Sequence, residues 1–292
     1  MLKRLCLAAA LAASAASAQD RPVVATVNYP LAWMAERLGG GAVEVLFPVP
    51  VGQDPSLWRP GLSDIAAIQQ AAVIALNGAG YAPWTARSSL PRSRIVDTSV
   101  GFSDAYIATQ SVTHSHGADG EHSHEGTASY TWLDFAQAAQ QSEALATMME
   151  RRIPELADTL ADTLPALQSD LAALDAQARS ELAGLKGQTI LATHPRYQYL
   201  ARAYGLEIAA LEWEAGAMPT DAQWTELSEL SEAKGATLLL WEAAPPAGAI
   251  DRAQEMGIAS TVFAPLANRP AEGDFLSAMR AAITSLAEAT QR

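Results

Sequence analysis

Thr189-Ile190-Leu191-Ala192-Thr193-His194-Pro195-Arg196-Tyr197-Gln198-Tyr199-Leu200-Ala201-Arg202-Ala203-Tyr204-Gly205 is the stretch that decides the fold. An apolar run rich in β-branched residues, Thr189 to Thr193, reads as a buried strand running into His194. A helix then runs through Tyr204 and stops at Gly205, and Leu206 to Leu211 is the next strand. Strand, helix and strand at this spacing make a βαβ unit, which requires parallel strands. Working toward the C-terminus, the alternation continues with a helix from Thr220 to Lys234, with Asp221 near its start. Strands at Ala236–Trp241 and Ile258–Phe263 and a closing helix from Gly273 to Ala289 complete it.

Working toward the N-terminus, Leu167, Leu171, Leu174, Ala178 and Leu182 recur at three and four residues, which gives a long helix one apolar face. Its start is expected at Asp162 or Thr163, because Leu164-Pro165 interrupts the helical sequence that resumes at Asp134. Gly184 and Gly187 close it. Before it lies a second α/β block. Val23–Val27, Val43–Phe47, Ala72–Asn77 and Arg94–Asp97 read as strands, with helices at Pro30–Leu38 and, capped by Ser63-Asp64, through Gln70. The expected architecture is therefore α/β: two α/β lobes with mostly parallel sheets, joined by one long helix. The expected boundaries are 1–18 for a signal peptide, 19–160 for the N-terminal lobe, 161–186 for the linking helix and 187–292 for the C-terminal lobe. Ligands of such sheets bind where the carboxyl ends of the strands point.

Composition narrows the function. Met1-Leu2-Lys3-Arg4, an Ala/Leu run and Ala16-Ser17-Ala18 read as a secretory signal cleaved after Ala18, which places the protein in the periplasm. The one cysteine, Cys6, falls within that signal, so a metal site in the exported chain must use His, Asp, Glu and neutral oxygen donors. The 32 acids outnumber the 19 Lys and Arg, which argues against nucleic acid as a partner. Four of the five histidines, His114, His116, His122 and His124, crowd into one eleven-residue run, with Asp119 and Glu121 between them. Ser111 to Ser129 carries no apolar period, so residues 113–126 read as a His-rich loop suited to divalent-metal capture. No nucleophile elbow, zincin motif or phosphate loop occurs, and an enzyme is not expected.

Three stretches carry a more specific likeness. Gly52-Gln53-Asp54-Pro55-Ser56-Leu57-Trp58-Arg59-Pro60 with Ser63-Asp64, then Ser129-Tyr130-Thr131-Trp132-Leu133-Asp134, and the His194 stretch quoted above resemble the motifs of one family. It comprises the zinc- and manganese-binding subunits of bacterial ABC importers, the cluster A-I solute-binding proteins. The resemblance covers essentially the whole exported chain, and a His-rich loop just before the second motif is a family habit. It implies a monomer that binds a divalent metal, zinc first with manganese or another ion as alternatives, and delivers it to a permease in the inner membrane.

Members hold the metal with a histidine from each motif and a later carboxylate. Here Ser56 and Tyr130 stand at the first two positions, His194 is retained at the third, and Ala264 replaces the acid. A zinc site needs about three protein ligands, so simple carry-over does not build one. Glu242, at the end of the Ala236–Trp241 strand, is the best substitute ligand, with Tyr130 and Glu214 weaker. An alternative is an organic or chelated-metal ligand in a cleft walled by Trp58, Trp132, Trp213 and Trp241. Another is a periplasmic zinc buffer or chaperone in which the loop does the binding.

Overall fold

The computed structural model describes residues 21–109 and 126–289. In chain order the first half contains β1 (Val23–Thr26), α1 (Tyr29–Gly39), β2 (Glu44–Leu46), α2 (Leu62–Gln70), β3 (Val73–Leu76), β4 (Ile95–Asp97), β5 (Ala108–Thr109), β6 (Gly126–Thr127) and α3 (Phe135–Arg152). The second half contains α4 (Ala157–Glu181), β7 (Thr189–Ala192), α5 (Gln198–Tyr204), β8 (Glu207–Ala210), α6 (Asp221–Lys234), β9 (Leu238–Trp241), α7 (Ala247–Glu255), β10 (Ala259–Val262) and α8 (Phe275–Ala289). Two four-stranded sheets result, in the orders β2-β1-β3-β4 and β10-β9-β7-β8, and every pair within them is parallel. Numbered from its own first strand, each sheet has the same winding, so the two halves repeat one topology. β5 and β6 form a short antiparallel pair outside both sheets, β5 just before the stretch read as loop and β6 within it.

Local chemistry explains the helix ends. The Asn28 side chain caps α1 by accepting from the Leu31 N–H at 3.1 Å, and Gly40 ends it in the left-handed conformation. The N-cap of α2 is Gly61 rather than Ser63-Asp64. Asp64 acts from inside the first turn instead, accepting from the Gly61 N–H at 2.8 Å. Asp134 caps α3, and Thr220 with Gln223 forms a capping box on α6.

The long helix departs from its expected start. α4 begins at Ala157 and runs through Pro165, and the chain breaks instead at Ile153-Pro154, between α3 and α4. Pro165 withholds one backbone donor from the Ala161 carbonyl. The helix persists because Leu160 and Leu167, on either side of the proline, are both buried. Thr163 Oγ1 also reinforces that turn, lying 2.9 Å from both the Thr159 and the Leu38 carbonyls. The apolar face is as read: Leu167, Leu171, Leu174, Ala178 and Leu182 are fully buried. α4 packs against α1 and α3 on one side and against α8 on the other. α7 was not legible in the sequence, because Ala249 and Ala253 are its only buried residues.

The segment after β10 ties the two sheets together. Trp132 Nε1 donates to the Pro265 carbonyl at 2.7 Å, and the Tyr29 N–H donates to Ala267 O at 2.8 Å. Asn268 Nδ2 reaches the carbonyls of Pro50 and Gln53 at 2.7 and 2.8 Å. No helix among the described residues is long and apolar enough to cross a membrane. The expected signal peptide and the loop histidines His114, His116, His122 and His124 lie outside the described residues.

Candidate functional site

The residues that follow the carboxyl ends of both sheets converge on one site, as the strand polarity requires. From the first sheet come Asp54 and Ser56 after β2, with Tyr130 held beside the end of β3. From the second come His194 and Arg196 after β7, Trp213 after β8, Glu242 after β9 and Ala264 after β10.

A buried polar network positions Tyr130. Asn77, just past β3, accepts from Asn28 Nδ2 at 3.1 Å and donates to the Ser129 carbonyl at 2.8 Å. From α3, Gln141 Nε2 reaches the Asn77 carbonyl at 3.3 Å and Thr98 Oγ1 at 2.9 Å. These groups satisfy one another away from water, which holds the backbone before Tyr130 in one place. The Tyr130 ring then packs on Trp132 and Tyr81, with centroids 4.7 and 5.7 Å away. Burial pushes the Tyr130 phenol well above its ordinary range, against the opposing pull of the Arg196 charge. It stays protonated near neutral pH, and as a neutral phenol it is not a zinc ligand.

On the second sheet, His194 Nδ1 lies 3.0 Å from the Trp213 carbonyl. A carbonyl only accepts, so Nδ1 carries a proton, and in a neutral ring the lone pair is then on Nε2, the tautomer a metal-binding histidine needs. The Glu242 N–H donates to Thr193 Oγ1 at 3.1 Å, and its carboxylate lies 4.0 Å from His194 Nδ1. Asp54 is fixed by its own turn, accepting from the Ser56 N–H at 2.8 Å and from Ser56 Oγ at 2.7 Å.

Between these groups sits the Arg196 guanidinium. Its Nε donates to Glu242 at 3.2 Å and its Nη2 to Asp54 at 2.7 Å, and its Cζ lies 4.7 Å above the centre of the Tyr130 ring. Burial alone would lower the Arg196 pKa, but Tyr130, Glu242 and Asp54 outweigh it and the group is held above its ordinary value. It is therefore a permanent cation.

The structure thus brings together His194, Glu242, Ser56 and Tyr130 from the sequence reading. It adds Asp54 and Arg196, which that reading passed over although both lie inside the quoted motifs. Ala264 packs against the apolar core and supplies no donor. Glu214 lies exposed on the loop after β8. The expected aromatic wall is corrected. Trp58, Trp132, Trp213 and Trp241 are all 7% exposed or less. Trp58 packs edge-on against Trp84, Trp132 lies in the core, and Trp213 and Trp241 pack with Trp224 in tilted and edge-on contacts inside a second buried cluster. Their indoles serve as packing and offer no open face to an organic ligand.

Among the described residues, no three His, Cys, Asp or Glu side chains are grouped closely enough to hold a metal ion. The groups nearest to a donor set are His194, Glu242 and Asp54, and the two carboxylates already hold a cation, the guanidinium.

The chain matches the model of the family described as "Zinc-uptake complex component A periplasmic" over residues 23–289. The zinc-binding lipoprotein AdcA of Streptococcus pneumoniae is 24% identical over 282 residues, which is 92% of this chain and 56% of that relative. The chain therefore spans little more than half the length of that protein. The high-affinity zinc uptake system protein ZnuA of Paracoccus denitrificans is 26% identical over 241 residues, 70% of this chain and 71% of its own length. Among solved structures, Zn(II)-bound AdcA from S. pneumoniae superposes with a TM-score of 0.77 at 18% identity, covering 93% of this chain and 58% of that one. FpvC from Pseudomonas aeruginosa in complex with Mn2+ gives 0.73 at 20% identity, covering 93% and 99%. These likenesses establish the α/β fold.

Proposed function

Because the chain belongs to the family of the periplasmic zinc-uptake complex component A, we propose that it is the solute-binding subunit of an ABC metal importer. In this reading it works in the periplasm, takes zinc as its principal cargo, and hands the ion to a permease in the inner membrane. The His-rich stretch 113–126 gathers the metal, and His194 with Glu242 receives it in an altered cleft. The observation that carries the reading is the 3.0 Å approach of His194 Nδ1 to the Trp213 carbonyl, which engages Nδ1 as a donor and leaves Nε2 to a metal.

Equilibrium zinc titration of the exported protein, of a deletion of 113–125 that spares β6, and of His194→Ala tests this. The deletion should remove the loop's share of bound zinc and leave one equivalent, which His194→Ala on the deletion background then abolishes. If the deletion removes all binding and His194→Ala alone changes nothing, the cleft part of the reading is wrong.

A further inference from the structure

The Arg196 network has the form of an occupied cation site. Asp54 and Glu242 follow strands of different sheets and stand 26% and 14% exposed, and a single guanidinium bonds to both. Two carboxylates so placed repel one another unless a cation lies between them. Arg196 supplies that cation from two residues beyond His194, and the Tyr130 face beneath it adds a cation–π contact. Tyr130 itself stands where the motif resemblance puts a metal-binding histidine. A divalent ion within bonding reach of the same carboxylate oxygens would displace the guanidinium's donors and lie beside a like charge.

We propose that the Arg196 guanidinium is a built-in competitor of the cargo cation, so that a divalent ion reaches Glu242 and Asp54 only as Arg196 leaves them. This rests on the metal-binding reading above and assigns Arg196 as the residue that sets the cleft's affinity. The displaced pair between Arg196 and Asp54 joins residues 142 positions apart, in loops that follow β7 and β2. Exchange of guanidinium for metal therefore also replaces one link between the lobes with another. A cleft built this way holds its ion more loosely than the same donors would without the arginine.

Zinc titration by calorimetry on the 113–125 deletion, with Arg196 intact or changed, tests the proposal. Arg196→Met, which keeps the stem and removes the charge, should bind one zinc at least tenfold more tightly than its parent. Arg196→Lys should stay near the parent, and Glu242→Gln added to Arg196→Met should erase the gain. Equal affinity in the parent and in Arg196→Met overturns the competitor role while leaving the metal-binding reading intact. Absence of cleft binding in both overturns the two together. Should Arg196→Met fail to fold, the Arg196 Nε–H resonance of the parent gives the answer by NMR. Saturating zinc should shift it and speed its exchange with water, and an unmoved signal with zinc bound in the cleft sinks the proposal.

Discussion

Burial acts on the tyrosines of this protein as strongly as on its apolar side chains. The phenols of Tyr81, Tyr130, Tyr197 and Tyr204 are all pushed up by burial, and Tyr197 also donates to the Phe263 carbonyl at 2.7 Å. In the unfolded chain a phenol ionises at pH ~10. With the folded value higher, the stability these groups contribute is fully present below pH ~10 and is lost as pH rises through the folded value. Each steepens that loss by up to about 1.4 kcal/mol per pH unit. Melting temperature should fall steeply between about pH 10 and 12, and phenolate absorbance of these residues should appear only with unfolding. Reversible ionisation of every tyrosine near pH 10 with an unchanged melting temperature would contradict this. The residues that resemble a metal motif were legible one by one, His194 above all. Their charge states were not, because they depend on neighbours far away in sequence.

For whole elements, legibility followed the strength of the buried face. The five apolar positions of α4 announced that helix because all five are buried. Leu171→Ala should therefore destabilise the fold by about 2–5 kcal/mol, read as a lower denaturant midpoint. Pro165→Ala restores the backbone donor that the Ala161 carbonyl lacks, so it should leave stability unchanged or raise it by about 1 kcal/mol or more. A lower midpoint for that variant would show that Pro165 supports the helix rather than being tolerated in it. The sequence misled at this element because Pro165 looks like a helix start, whereas the true break at Ile153-Pro154 has no stronger local signal. α7 escaped because it is nine residues long and buries nothing larger than alanine.

Across the molecule, the two sheets meet through the segment that follows β10. Trp132→Phe keeps an aromatic ring in place but leaves the buried Pro265 carbonyl without its donor, and should destabilise by about 1–3 kcal/mol in chemical denaturation. No loss of stability would mean that this bond does not help to hold the two halves of the chain together. The sequence by itself determined the α/β class, the alternation of strands and helices, the long helix and the identity of the groups near the site. These are local properties, set by the period of apolar residues and by motifs a few residues long. Only the tertiary structure decided that Arg196 stands between Asp54 and Glu242 and that the tryptophans face the core. Both outcomes are contacts between residues from distant parts of the chain. Whether a carboxylate meets a metal or a guanidinium depends on which partner the fold delivers to it, since the same charge attracts either.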